Sequence, residues 1–116
     1  DEKMLPLLFA ADALRELGAM RVGLVAPYLA YMRQDRRFQP GEAVTSRSFA
    51  RIVSDHFDWL ATIDPHLHRL HGLDEIYSIP TRVVHATPAL GEWVAENIER
   101  PLLIGPDSES ARCVAD

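Results

Sequence analysis

Three groups of polar residues in this sequence could do chemistry, and each follows an apolar run. The first is the segment RQDRR, Arg33 to Arg37, which follows VGLVAPYLA closely. Arginine presents paired, planar N–H donors that match the oxygens of phosphate. Gln34 could hydrogen-bond a base edge or a ribose hydroxyl. The segment therefore fits either a phosphate site or a charged, solvated loop, since loops are often charged.

The second group follows the run WLATI. Asp64 and His66 are two residues apart, so their side chains point the same way if the chain stays extended. A carboxylate beside an imidazole can orient a metal ligand or hold a phosphate. His68 and His71 extend the pattern to HxHxxH, which suggests zinc, although zinc needs three or four ligands on a defined scaffold. The alternative is that both are surface residues near a turn.

The third group is Asp107, which follows Pro106 after the apolar run LLIG. A carboxylate there suits Mg²⁺, which takes a few hard oxygen ligands and leaves the rest to water and phosphate. An aspartate before a helix also serves as an N-cap without any ligand. On the residues alone, the cap is the favoured interpretation.

Composition limits what the chain can do. Its 116 residues suffice for one domain with a core, and 47% hydrophobic with 25% charged residues is ordinary for a globular protein. A net charge of −5 argues against general nucleic-acid or membrane-surface binding. The single cysteine, Cys113, cannot form an internal disulfide and favours a reducing, cytoplasmic setting. Because no initiator Met is present and both ends read as helices, we expect an internal piece of a longer protein.

Apolar periodicity predicts alternating helices and strands. Helices are expected over 4–17, from an N-cap at Thr45, over 88–98 and after Pro106; strands are expected over 20–28, 59–64, 81–86 and 101–105. The first helix places Leu5, Leu8, Phe9, Leu14 and Leu17 at roughly helical spacing, and the aromatic residues Phe49, Phe57, Trp59 and Trp93 would be core. The run VGLVA suits a strand buried on both faces.

This alternation implies right-handed βαβ crossovers and an α/β fold with a mostly parallel sheet flanked by helices. Ligands of such sheets bind at the carboxyl ends of the strands. All three polar groups follow strands, so we expect them to converge at that edge.

At these loops the sequence resembles the phosphoribosyl pyrophosphate synthetases, or ribose-phosphate diphosphokinases. PYLAYMRQDRRFQPGEAVTSRSFARIV is similar to the family segment P-Y-x-x-Y-x-R-Q-D-R-x-F-x-x-G-E-x-x-S/T, and WLATIDPHLHRLHG is similar to its D-L-H signature. ATPALGEWVAENI resembles the helix after an A-x-P step, and IGPDSESARCVAD resembles the S/G-P-D segment. The resemblance implies a type I phosphoribosyltransferase-like fold. Residues 1–100 would be the later part of the first domain, and 101–116 the first strand and turn of the second.

The resemblance also implies site residues and an activity. Arg33, Gln34, Asp35 and His66 would contact ATP, and His66 with Asp107 would contact Mg²⁺. The full enzyme would transfer the diphosphoryl group of ATP to ribose 5-phosphate, giving AMP and phosphoribosyl pyrophosphate. The catalytic Lys-Arg loop and the ribose 5-phosphate loop lie outside this piece, which would be inactive alone.

The resemblance implies a homo-oligomer, dimer or hexamer, with Arg33 and Gln34 near a subunit boundary. Apolar surface for it would come from the first helix and the segment 76–84, unless the first strands of the same chain cover both.

Two departures from the family pattern keep alternatives open. Pro65 stands where D-L-H has leucine, and the turn formed by Ser108, Glu109 and Ser110 lacks the usual diglycine. A divergent enzyme and a non-catalytic regulatory homologue both fit these changes. A phosphoribosyltransferase of the same fold is the third candidate, but RQDRR speaks against it because those enzymes need no ATP pocket.

Overall fold

Helices and strands follow the predicted order from the first helix through the helix after Pro88. The structure, a computed structural model, describes residues 2–67 and 69–104. In that part, helix α1 (Met4–Glu16) precedes strand β1 (Gly23–Ala26), helix α2 (Thr45–His56), strand β2 (Trp59–Ile63), a 3₁₀ turn (Leu73–Glu75), strand β3 (Thr81–Val84) and helix α3 (Thr87–Asn97). Pro88 occupies the first turn of α3, where its missing N–H costs nothing.

The strands form a parallel sheet in the order β1-β2-β3. Gly23 lies opposite Trp59, and Leu60 lies opposite Thr81. Because Ala26 is level with Thr62, the loops that leave β1 and β2 start at the same edge of the sheet. The expected α/β fold with a parallel sheet is confirmed.

The hydrophobic core packs α2 against β1 and β2. Ala50 and Val53 of α2 and Leu60 of β2 have no exposed surface, and Leu24 of β1 is only 8% exposed. Phe57 closes the core at the end of α2. The sequence placed Phe49, Ile52, Val53 and Phe57 on one face of this helix. Val53 and Phe57 are buried as predicted and Phe49 is half-buried, but Ile52 is 40% exposed. The buried positions within the helix are 46, 50 and 53, which follow the helical period.

Helix α1 packs one part of its apolar surface on the core and leaves the rest exposed. Its core-facing residues are Met4, Leu8 and Ala11, whereas Leu5 and Phe9 are 61% and 67% exposed. Leu14 and Leu17 are exposed too. The helix itself carries apolar residues on several sides, so the periodicity of its sequence could not identify which residues are buried.

The first strand is not buried on both faces as predicted. Leu24 is buried, but Val25 on the opposite face is 64% exposed. The Trp59 ring covers Gly23 on that same face so closely that a Cβ at position 23 would collide with it. Trp59 is thus half-buried, and Trp93, also predicted as core, is exposed. A continuous apolar run does not say which face the neighbouring elements cover.

Asp58 fastens the start of β2 to α1 and to the start of β1. Its Oδ2 accepts hydrogen bonds from the Val22 N–H at 2.7 Å and from Arg15 Nη2 at 2.9 Å. The Val22 N–H, and secondarily the Arg15 guanidinium, hold the pKa of Asp58 below its usual range. Arg15 also donates to the His56 carbonyl.

One further prediction from the sequence is wrong. Residues 101–104 form neither helix nor strand, so the predicted strand over 101–105 is wrong in its described part. Tyr77 is only 3% exposed, so the segment 76–84 contributes to the core as well as to the surface. The 3₁₀ turn preceding Tyr77 carries the buried Leu73.

The chain divides into two compact units, Asp1–Val84 and His85–Asp116. The first contains α1, α2 and the sheet, and the second contains α3. The domain boundary expected at residue 100 stays a prediction. Within the described residues, every helix is too short or too polar to cross a lipid bilayer.

Candidate functional site

A pocket of about 290 Å³ lies where the loops leave β1 and β2. The loop after β1 contributes Tyr28, Leu29, Tyr31, Met32 and Arg33, and the end of β2 with its loop contributes Ile63, Asp64 and His66. The parallel register of the two strands brings these loops to one edge of the sheet. Arg33 and His66, two of the predicted site residues, therefore share one pocket with Asp64.

Two pocket residues have left-handed backbone conformations that non-glycine residues adopt rarely. Tyr31 has φ 63° and Asp64 has φ 37°. Tyr31 is held by its ring contact with Phe49, at 5.1 Å between ring centroids, and by the Gln34 N–H, which donates to its carbonyl. The Asp64 N–H donates to the Val84 carbonyl at 3.1 Å. Such conformations concentrate at functional sites, where surrounding contacts maintain them.

Gln34, predicted to contact ATP, is outside the residues that line the pocket. Its Oε1 accepts a hydrogen bond from Thr45 Oγ1 at 2.9 Å, and its carbonyl accepts one from the Ser46 N–H at 3.2 Å. Gln34 thus fastens the loop to the first turn of α2. Thr45 is the first residue of that helix and Val44 is the N-cap, so the predicted cap is wrong by one position.

Asp35, also predicted to contact ATP, points toward the loop after β2. Its Oδ1 accepts a hydrogen bond from Arg69 Nη1 at 2.8 Å, and its side chain is 2% exposed. Its Oδ2 is buried without a hydrogen-bond partner in the part of the chain that the structure describes. Asp35 therefore joins the two loops that form the pocket.

The remaining arginines of RQDRR do not line the pocket. Arg36 lies over the Phe38 ring, 5.1 Å from its centroid, in a cation–π contact. Arg37 is exposed. Glu42 closes the far end of the loop by accepting hydrogen bonds from the N–H groups of Phe38 and Gln39. Of the basic cluster, Arg33 supplies the charge in the pocket.

The described residues contain no group of three or more His, Cys, Asp or Glu side chains placed to hold a metal ion. His68 of the HxHxxH pattern and Asp107 of the expected Mg²⁺ site lie outside those residues. Among the described residues, those that line the pocket include one carboxylate, Asp64, and one imidazole, His66. These donors fit Mg²⁺ held mainly by phosphate oxygens and water.

Asp64 was a candidate beside His66 because it follows a strand, whereas Tyr28 and Tyr31 were not predicted to belong to the site. The two tyrosines flank the loop in the segment PYLAY, and each offers a flat apolar face with a polar tip. One guanidinium, one imidazole, one carboxylate and two phenol rings can together bind a phosphorylated ligand that carries a flat ring.

Comparisons with known proteins identify the family of this chain. Residues 1–56 match the family described as the N-terminal domain of ribose phosphate pyrophosphokinase. The ribose-phosphate pyrophosphokinase of Methanopyrus kandleri is 43% identical over 117 residues, which cover 99% of this chain and 39% of that protein. The enzyme of that name from Thermococcus kodakarensis is 36% identical over 121 residues, which cover 100% of this chain and 41% of the relative.

The fold also has a solved counterpart. The crystal structure of phosphoribosylpyrophosphate synthetase from Mycobacterium smegmatis aligns with a TM-score of 0.68 at 22% identity, over 80% of this chain and 30% of the other. This likeness shows the fold, and the sequence relatives show the family. The chain spans about two fifths of the length of the curated relatives named above, and it belongs to the ribose-phosphate pyrophosphokinase family.

Proposed function

We propose that this chain is part of a ribose-phosphate diphosphokinase, which transfers the diphosphoryl group of ATP to ribose 5-phosphate and forms phosphoribosyl pyrophosphate and AMP. Family membership supports the reaction. The observation that carries the assignment is the joint presence of Arg33, Asp64 and His66 in one pocket at the carboxyl ends of two parallel strands. The chain would supply part of the ATP site, while groups that bind ribose 5-phosphate lie elsewhere in the enzyme.

Each pocket residue has a role that follows from its chemistry. The Arg33 guanidinium would donate paired hydrogen bonds to phosphate oxygens of ATP. His66 would contact a phosphate or the metal, and the Asp64 carboxylate would be a protein ligand of Mg²⁺. When bound, Mg²⁺ neutralises charge on the phosphates during transfer. Because diphosphoryl transfer depends on positioning and electrostatic stabilisation, this chain needs no nucleophile of its own. Asp107 remains a proposed Mg²⁺ contact from the following domain.

The hydrogen bonds of Gln34 and Asp35 change what we propose for them. Thr45 and Ser46 already engage the side chain and carbonyl of Gln34, and Arg69 engages Asp35. We therefore assign direct ATP contact to Arg33 and His66. Gln34 holds the loop that presents Arg33.

The setting of the enzyme is also a proposal. A single cysteine supports a cytoplasmic location, and the net charge of −5 supports small-molecule rather than nucleic-acid or membrane partners. The exposed apolar residues of α1, Leu5 and Phe9 among them, support burial in a homo-oligomer such as a dimer or hexamer. Light scattering of the full-length enzyme tests this, and a fully active monomer at micromolar concentration would refute it.

The ATP assignment is tested by Arg33→Ala in the full-length enzyme. Loss of one charge-assisted hydrogen-bonding group removes about 1.5–3 kcal/mol, so kcat/KM for ATP should fall roughly 10- to 150-fold. Arg37→Ala, in the same loop but outside the pocket, is the matched control and should resemble the wild type. Equal kcat/KM values for ATP in the wild type and Arg33→Ala would show that this pocket is not the phosphate site.

A further inference from the structure

One ion pair joins the two loops that form the pocket. Arg69 Nη1 donates to Asp35 Oδ1 at 2.8 Å. Asp35 belongs to the loop after β1, and Arg69 belongs to the loop after β2. The Asp35 side chain is almost fully enclosed, at 2% exposure, whereas the Arg69 side chain is 39% exposed.

The ion pair lies next to both residues assigned to ATP. Arg33 precedes Asp35 by two residues, and His66 precedes Arg69 by three. Gln34, between Arg33 and Asp35, is tied to the start of α2 through Thr45 and Ser46. The tripeptide 33–35 is therefore held by α2 on one side and by Arg69 on the other.

We propose that Asp35 and Arg69 form a positioning pair that fixes the separation of Arg33 and His66, so that both can contact the phosphates of one ATP molecule. The inference rests on the proposed function of the pocket. Neither partner lines the pocket, so both residues act through the loops they hold and not by contact with substrate.

The burial of Asp35 explains why the pair would be sensitive to change. A buried carboxylate is tolerated when it is paired and hydrogen-bonded. In the described part of the chain Asp35 Oδ2 has no hydrogen-bond partner, so the contact of Oδ1 with Arg69 is the main compensation for its charge. Without Arg69, the carboxylate would move toward water and take the backbone next to Arg33 with it. A displacement of about 1 Å at a binding group can cost as much as 100-fold in rate.

A merely stabilising ion pair would behave differently. Its loss would lower the melting temperature and affect both substrates alike. Loss of a positioning pair should change the kinetics for ATP selectively and loosen the loops locally. The experiment therefore compares the two substrates and measures hydrogen exchange in the loops.

The test uses Arg69→Met, Arg69→Lys and Arg33→Ala in the full-length enzyme, with Arg37→Met as control. Met keeps the aliphatic stem of Arg69 and removes its charge. We expect Arg69→Met to raise KM for ATP about tenfold and to leave KM for ribose 5-phosphate within about twofold of the wild type. Arg69→Lys restores a positive charge and should recover most of the loss. If Arg69→Met fails to fold, the intermediate KM of Arg69→Lys and its loop exchange carry the test.

Hydrogen exchange gives a readout that does not depend on ATP. Backbone amides in 31–35 and 64–70 should exchange faster in Arg69→Met than in the wild type, while amides of α1 should not change. Unchanged exchange in both loops, or equal changes in KM for the two substrates, overturns the positioning role. If Arg33→Ala leaves KM for ATP unchanged while Arg69→Met still loosens both loops, the proposed ATP site fails and the coupling of the loops stands.

Discussion

Replacing Tyr77 with phenylalanine should not destabilise this protein, although Tyr77 is a core residue. Its side chain is 3% exposed, and its hydroxyl is buried without a hydrogen-bond partner among the described residues. Burial raises the pKa of Tyr77 to about 12. Phenylalanine keeps the ring and its packing, and removes the hydroxyl, which lost its contact with water on folding without gaining a hydrogen bond among the described residues.

The magnitude follows from the desolvation of that hydroxyl. A buried polar group left without a partner costs about 1–3 kcal/mol. Tyr77→Phe recovers that cost but leaves a space of roughly one oxygen atom, and the lost contacts offset part of the gain. We expect a net stabilisation of about 1 kcal/mol, which corresponds to a rise of about 4 °C in Tm for a chain of this size.

Urea denaturation of the wild type and the variant measures the difference directly. Tyr28→Phe is the matched control because Tyr28 is 82% exposed, and its stability should change by less than about 0.5 kcal/mol. The m-values should agree, since neither change alters the surface exposed on unfolding. If Tyr77→Phe loses about 1 kcal/mol or more, the hydroxyl makes a hydrogen bond in the folded protein and the reasoning is refuted.

Alkaline pH provides a second check on Tyr77. In the unfolded chain this tyrosine ionises near its ordinary pKa of 10.0, whereas in the folded chain burial raises that pKa to about 12. The unionised form is therefore favoured in the folded state, and the stability it contributes is complete below pH 10.0 and lost as pH rises toward 12. Tyr77→Phe should lose stability less steeply over this range.

Two further predictions concern the framework around the site. Asp58→Asn should reduce the acid sensitivity of folding. The pKa of Asp58 is lowered, first by the Val22 N–H, so its carboxylate adds stability above pH 3.8 that is lost as pH falls through the folded-state pKa. Melting temperatures of the wild type and the variant across acidic pH measure this difference. Gly23→Ala should destabilise by about 1–3 kcal/mol and alter tryptophan emission, because the new Cβ would displace the Trp59 ring. Gly91→Ala, in open space on α3, should instead stabilise by about 0.5–1 kcal/mol, so a neutral Gly23→Ala would contradict the packing described.

The fold could be predicted where apolar residues repeat along the sequence at one clear spacing. Helix α2 has one apolar stripe, and its buried residues, including Ala50 and Val53, repeat at helical spacing. Helix α1 is apolar on several sides, so its buried residues could not be chosen from the pattern. The segment 101–104 shows the same limit for strands: an apolar run becomes a strand only when a neighbouring strand pairs with it, and none does so among the described residues.

The sequence could predict which loops meet at the candidate pocket, but not the directions of their side chains. Strand order placed the RQDRR and DPH loops at one edge of the sheet, and Arg33 and His66 do share a pocket. Tyr31 then has a left-handed backbone conformation, with φ 63°, which a tyrosine in the sequence does not predict. After that turn, two nearby residues of the loop face different neighbours: Arg33 faces the pocket, and Asp35 faces Arg69. A charged motif therefore predicts which loop carries a candidate site, while the backbone decides which of its charged side chains line the pocket and which contact other loops.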